Sequence, residues 1–148
     1  HHIPIAGKDI NDFMINLLIK NGQVIESKMQ KQSISKAKEL YCYIAQNYEE
    51  EMKEFENNRD EEIKEWELPD KRKIKIGKEK FQATEILFEP NKYGYDFINF
   101  QELFKQTVKS IDSDLRESML LNIIFNGGTT LFKGFKNRDF ELLSGGKV

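Results

Sequence analysis

Residues 111–138, IDSDLRESMLLNIIFNGGTTLFKGFKNR, contain the feature that decides the fold. The apolar run NIIF (residues 122–125) predicts a short buried strand, and two adjacent glycines, Gly127 and Gly128, follow it. Paired glycines remove the Cβ atoms that keep a ligand or another chain segment away from the backbone, and they permit a positive φ. Two interpretations follow, a bound phosphate or nucleotide and a tight strand-to-helix turn.

The glycine pair does not belong to the phosphate loop of P-loop enzymes. That motif needs a lysine and a hydroxyl residue directly after its last glycine, at the start of a helix. Here Gly128 is followed by Thr129.

Composition limits the classes of function. The 148 residues correspond to one domain, and the 23 basic and 25 acidic residues leave a net charge of only −2. Such a balance gives no broad basic surface for nucleic acid or for an anionic membrane, and no apolar run is long enough to span a bilayer. The sequence therefore predicts neither a nucleic-acid partner nor a membrane partner.

The sequence predicts no catalytic residue and no metal ligand. The single cysteine, Cys42, excludes an internal disulfide, and it lies on a patterned helix without a histidine partner. The two histidines are adjacent at the N-terminus and lack a third ligand. The chain has no starting Met, begins in what looks like a strand (HIPIA) and ends just after a helical pattern, so we expect a piece of a longer protein.

The remaining pattern is mixed but largely helical. Asp9 is the predicted N-cap of a first helix that Asn21-Gly22 closes, and SISKAKELYCYIA and NYEEEMKEF predict two more. ENNRDEE reads as a solvated linker, and WELPDKRKIKIG as a hairpin. Two later helices are expected, the second capped by Asp112 or Asp114, and Leu131, Phe135 and Leu142 place another after the glycines. A strand, a glycine turn and a helix among helices and a hairpin indicate an α/β or α+β fold. The predicted core consists of Leu17, Leu18, Phe81, Leu87, Phe104, Leu120 and Ile124.

Four motifs in order resemble the actin family, including the actin-related proteins. They are HIPIAGKDINDFM, KELYCYIAQNYEEEM, ELPDKRKIKIGKEKFQATEILFEP and the stretch quoted first, and together they extend over residues 2–138. The resemblance implies a fragment of the actin-like ATPase superfold. Residues 28–120 would form most of the small outer subdomain, and residues 1–27 and 121–148 would form parts of the adjoining inner subdomain.

The resemblance also implies that this chain forms the adenosine-binding part of an ATP cleft. Two sequence segments would line it, and the residues are Lys38 and Glu39 on one wall and Gly127, Gly128, Thr129, Leu131 and Phe132 on the other. A carboxylate can accept hydrogen bonds from ribose hydroxyls, a lysine stem can lie over a base, and Phe132 offers an aromatic edge. Taken without the resemblance, Lys38 and Glu39 are also compatible with solvated helix positions, and the glycines with a structural turn.

The family's phosphate-binding and hydrolysis residues have no counterparts here, so the resemblance implies ATP with Mg in the parent protein and no bound nucleotide or enzymatic activity for this chain alone. Expected partners are other actin-family or complex subunits, in the cytoplasmic cytoskeleton or, for a nuclear actin-related protein, the nucleus. Matching segments place the candidate subunit contacts at Leu68, Pro69, Asp70, Tyr93, Tyr95, Asp112 and Asp114. The turn 68–70 and the loop 112–114 are expected to be exposed.

Departures from the family pattern leave a second interpretation open. Ser35 replaces an arginine near the adenine, Lys133 replaces a proline, and Lys92 places a charge in the family's projecting apolar loop. The chain is therefore interpreted either as part of a nucleotide-binding cytoskeletal or chromatin-complex protein, or as a stand-alone interaction module that has lost the nucleotide.

Overall fold

The computed structural model describes residues 4–138, which are mostly helical with one two-stranded antiparallel sheet. The elements in chain order are α1 (Gly7–Lys20), α2 (Lys28–Tyr41), α3 (Tyr48–Asn57), α4 (Arg59–Glu62), β1 (Lys64–Glu67), β2 (Lys73–Ile76), α5 (Glu79–Gln82), 3-10 turns at Ala83–Leu87 and Pro90–Tyr93, α6 (Phe100–Lys109), α7 (Ser113–Leu121) and a 3-10 turn at Gly128–Leu131. The predicted α+β class is confirmed. The strand predicted at HIPIA and the helix position predicted at Leu142 fall wholly or partly outside the described residues.

Helix α1 forms where the apolar periodicity predicts it, but its start differs from the prediction. Its N-cap is Ala6, and Asp9 lies in the first turn, where its carboxylate accepts the Ala6 N–H at 2.8 Å. The prediction of Asp9 as the N-cap is therefore wrong: Asp9 lies three residues after the N-cap and satisfies a backbone N–H from inside the helix. Asn21 and Gly22, the latter with φ of +87°, end the helix as expected.

Helices α2 and α3 begin at side chains that accept backbone N–H groups. Ser27 and Gln30 form a reciprocal capping box at α2, and the Asn47 side chain accepts two N–H groups at α3. The segment ENNRDEE, predicted as a linker, instead continues the last turn of α3 and then forms the one-turn helix α4. Most of its residues are exposed, as predicted, but the carboxylate of Glu62 binds Lys80 at 2.8 Å.

The predicted hairpin is confirmed, with Trp66 opposite Ile74. The Trp66 indole N–H donates to Ser33 of α2, and Gln30 donates to Asp70, so the hairpin is joined to α2 at strand β1 and at its turn. In the turn, Pro69 and Asp70 are exposed, but Leu68 is buried. The expected exposure of Leu68 is wrong because its apolar side chain joins the main core while its N–H donates to the Arg72 carbonyl at 2.8 Å.

The core lies between α1, α2, the hairpin and residues 83–88. The side chains of Leu17, Leu18, Phe81 and Leu87 are buried, as predicted. Phe104 and Leu120 are only half-buried, and Ile124 is 90% exposed. These last three assignments to the interior are wrong for the part of the chain that the structure describes.

The failure at Ile124 follows from the absence of the predicted strand. Residues 122–126 have no regular structure, and within residues 4–138 the only sheet is the β1–β2 pair. A strand is held by hydrogen bonds to a neighbour, so an apolar run without an adjacent strand does not form one. Asp112 does occupy the N-cap position of α7, without a side-chain cap bond, and Asp114 lies in the first turn.

No helix among the described residues is both long and apolar enough to cross a lipid bilayer.

Candidate functional site

A groove of about 920 Å³ lies between the start of α1, the end of α2 and residues 126–133. All seven residues that the sequence assigned to a nucleotide line it, namely Lys38, Glu39, Gly127, Gly128, Thr129, Leu131 and Phe132. Ala6, Gly7, Leu40, Cys42, Asn126 and Lys133 complete the lining. The fold thus brings two distant segments of sequence to opposite sides of one groove.

On the α2 side, Lys38 is not the solvated helix residue that its charge suggests. Its side chain is buried, and its ammonium donates to the carbonyl of Gly7 at 2.7 Å. The bond ties the end of α2 to the start of α1, and it leaves two ammonium hydrogens for other acceptors. Glu39, by contrast, is exposed at the groove.

Cys42 lies on the same side of the groove, and its buried thiol is not activated as a nucleophile. Its thiol is buried, 3.7 Å from the sulfur of Met14, and this burial raises its pKa to about 12. The neighbouring ammonium groups of Lys38 and Lys80 oppose the shift without cancelling it. A thiol with this pKa is protonated near neutral pH, which agrees with a structural role.

The opposite side, residues 127–132, is termed the glycine wall. Gly127 has φ of +112°, which explains glycine there. Gly128 has no positive φ, and a Cβ added to it would meet nothing within 4 Å. The conformation and packing of the described chain therefore do not require glycine at 128.

The outer part of the glycine wall is apolar, and there only Phe132 packs against the main core. Leu131 is 84% exposed, and Phe132 is half-buried. Leu40 on the facing α2 side is also exposed. The groove consequently combines exposed apolar side chains at its edges with the exposed carboxylate of Glu39 and the buried ammonium of Lys38. This mixture suits a small ligand with an apolar face and hydroxyl groups.

Behind the glycine wall, residues 133–138 are fixed to residues 43–46 and to Glu85 by a set of contacts termed the clasp. The Ile44 N–H donates to the Lys133 carbonyl at 2.8 Å, and Arg138 forms two hydrogen bonds with the Glu85 carboxylate. Gly134 has φ of +88°, and a Cβ there would lie 2.3 Å from the Ile44 oxygen. The clasp was not predicted from the sequence. The one feature that could have indicated it is the glutamate in the mostly apolar run ATEILF.

The candidate subunit contacts differ in accessibility. Pro69, Asp70, Asp112 and Asp114 are exposed. Tyr93 and Tyr95 are half-buried, because both rings pack edge-on against Phe13, with centroids 4.8 and 6.2 Å away. Leu68, as described above, is buried. Among residues 4–138 no three His, Cys, Asp or Glu side chains are grouped as metal ligands.

Comparison with known proteins matches the whole described chain. Residues 1–141 match the family model described as "Actin". A curated protein described as "Actin-like protein", from Neurospora crassa, is 36% identical over 138 residues. The aligned part is 92% of this chain and 36% of the length of that relative, so the chain spans about a third of the relative.

Proposed function

The chain belongs to the actin family, and from this premise we propose that the protein it forms part of binds ATP with Mg²⁺ in a cleft, one side of which is the groove. The main support for the proposal is that a single groove is lined by all seven residues that the sequence assigned to a nucleotide, although they come from two distant segments. Fold membership alone would not establish the site, since members of a fold can lose a ligand.

The two sides of the groove have different proposed roles. Glu39 accepts hydrogen bonds from the ribose hydroxyls, because its exposed carboxylate is an acceptor only. Lys38 presents its stem to the adenosine while its ammonium holds Gly7. On the other side, the bare backbone at Gly128 lets the nucleotide approach closely, and Phe132 covers an edge of the base.

The phosphate groups and Mg²⁺ are proposed to be held by residues outside this chain. No carboxylate group suited to a metal is found in residues 4–138, and the chain spans only a third of its relative. Mg²⁺ would neutralise phosphate charge there. This chain alone is accordingly proposed not to be an enzyme and not to bind ATP appreciably.

The proposed biological setting is that of the family. The parent protein acts in cytoskeletal filaments or in a complex that contains actin-related proteins, with other subunits as partners, in the cytoplasm or the nucleus. Exposed Pro69, Asp70, Asp112 and Asp114 are the proposed contact residues. The division into an outer part (28–120) and inner parts stays a prediction.

Calorimetric titration with Mg-ATP tests the proposal on the full-length protein and on this chain. We expect saturable binding by the full-length protein and none by the chain at low micromolar nucleotide. The lost phosphate contacts are charge-assisted hydrogen bonds of roughly 1.5 to 3 kcal/mol each, so losing three removes about 5 to 9 kcal/mol, or some four to six decades of affinity.

Gly128→Val in the full-length protein tests the glycine wall itself. A Cβ at this position meets nothing within 4 Å among the described residues, so this part of the protein offers no clash to the added side chain, whereas a ligand in the groove would meet it. We expect Gly128→Val to keep the wild-type unfolding midpoint and to lose Mg-ATP binding. Unchanged affinity in this variant contradicts the site, and a full-length wild type without affinity favours the interaction-module alternative.

A further inference from the structure

We propose that Glu85 is a positioning residue for the glycine wall: by pairing with Arg138 it holds the clasp and thereby sets the width of the groove. This inference rests on the proposed nucleotide site, but its structural part can be tested without nucleotide. Neither Glu85 nor Arg138 lines the groove.

The pair has a single well-defined geometry. The two terminal nitrogens of Arg138 donate to the two oxygens of Glu85 at 2.8 and 2.6 Å, and one of them also donates to the Ala45 carbonyl at 2.8 Å. The guanidinium lies over the Phe88 ring, 4.1 Å from its centroid, and the Glu85 side chain is 1% exposed. A planar, bidentate pair fixes orientation as well as distance.

Three backbone hydrogen bonds, together with the peptide bond between Gly134 and Phe135, connect this pair to the glycine wall. Arg138 N–H donates to Gly134 O at 3.2 Å, Phe135 N–H to Phe132 O at 3.1 Å, and Phe132 N–H to Thr129 O at 3.4 Å. Movement of Arg138 is therefore transmitted to residues 129–132.

Apart from Phe132, which packs against the main core, the glycine wall has little other support among the described residues. Added Cβ atoms at Gly127 and Gly128 would meet nothing within 4 Å, and Leu131 is 84% exposed. In contrast, Gly134 is in such close contact with Ile44 that a Cβ would overlap its oxygen. The wall is thus held from its Phe132 end, by the packing of Phe132 on the core and by the clasp.

Stability alone does not account for the pair. Replacing both members of a buried ion pair by hydrophobic side chains of similar volume is often neutral for stability, whereas removing one member leaves an uncompensated charge. What such a replacement loses is the fixed orientation. A double substitution therefore separates positioning from stabilisation.

The experiment compares Glu85→Gln, the double variant Glu85→Leu/Arg138→Met and the control Glu62→Gln in the full-length protein. Glu62 pairs with buried Lys80, and neither residue lines the groove, so the control also breaks an ion pair with one buried partner. Three quantities are measured, namely the urea midpoint, hydrogen exchange of the Ile44 amide relative to amides of α1, and the Kd for Mg-ATP.

We expect the double variant to regain most of the midpoint lost by Glu85→Gln, yet to exchange the Ile44 amide faster and to bind Mg-ATP about tenfold more weakly. The control should leave Ile44 exchange and the Kd unchanged. Wild-type exchange and Kd in the double variant overturn the proposal, as does an Ile44 amide that opens only together with α1. If the wild type does not bind Mg-ATP, the proposed function fails, while the exchange data still decide whether Glu85 positions the wall.

Discussion

Gly134→Ala is expected to destabilise the protein much more than Gly22→Ala, although both glycines have nearly the same backbone conformation. Their φ angles are +88° and +87°. An added Cβ at Gly134 would lie 2.3 Å from the Ile44 oxygen, whereas at Gly22 it would meet nothing within 4 Å. The pair of variants therefore isolates the close contact from the conformational strain.

The expected magnitudes follow from these contacts. An alanine forced into the left-handed region costs about 1 to 2 kcal/mol, partly offset by the lower entropy of the unfolded chain, which leaves about 1 kcal/mol for Gly22→Ala. In Gly134→Ala the backbone at residue 134 must also move away from the Ile44 carbonyl. That strains the bond from Ile44 N–H to Lys133 O and the bond from the Gln46 amide to Gly134 O, each worth about 0.5 to 1.5 kcal/mol. The total for Gly134→Ala is about 2 to 4 kcal/mol.

Urea unfolding followed by the fluorescence of the single tryptophan, Trp66, measures both variants. The slope of free energy against urea should stay the same, so that the midpoints report stability. Equal losses for Gly134→Ala and Gly22→Ala would refute the clasp contact as described.

Three further outcomes are expected. Truncating the buried Ile86 to Ala should lower the free energy of unfolding by about 2 to 5 kcal/mol. Ile124→Ala, at a side chain that is 90% exposed, should change this free energy by less than about 0.5 kcal/mol. Comparable losses for the two variants in urea unfolding would contradict the assigned core. Cys42, whose pKa burial raises to about 12, should react with a disulfide reagent at pH 8 only as the protein unfolds, and fast labelling of the folded chain would argue against its burial. The hydrogen bond from Lys80 lowers the pKa of Glu62, so its stabilising contribution is present above the ordinary value of 4.5 and is lost as the pH falls through the lower folded value. Glu62→Gln should therefore flatten the acid side of the stability curve, and an unchanged curve would count against this pair.

Local patterns predicted the elements whose stability depends on neighbours in sequence. The periodicity of α1 and the alternation of the hairpin are visible in a few consecutive residues, and both elements form. The burial of Leu68 was not visible, because it depends on the core beneath the turn. The strand at 122–125 failed for a related reason, since a strand requires a partner that no local pattern specifies.

The candidate site also has parts that the sequence predicted and parts that it did not. The residues of the groove were identified from motifs that resemble a family, and the fold brings them together. The clasp could not be anticipated, because Glu85 and Arg138 are 53 positions apart and their pairing depends on the folded path of the chain. Likewise, the burial of Lys38 depends on the Gly7 carbonyl at the start of another helix.

The arrangement of the core also has a consequence during synthesis. The apolar face of α1 packs on α2 as well as on residues 83–87. These residues are translated more than 60 positions after the helix ends, which at 5–20 residues per second is about 3 to 13 s. Throughout this interval the six buried apolar side chains of α1 lack part of their final packing partners on the nascent chain. The nascent chain that contains α1 but not yet residues 83–87 therefore exposes apolar surface to which other chains or a chaperone can bind.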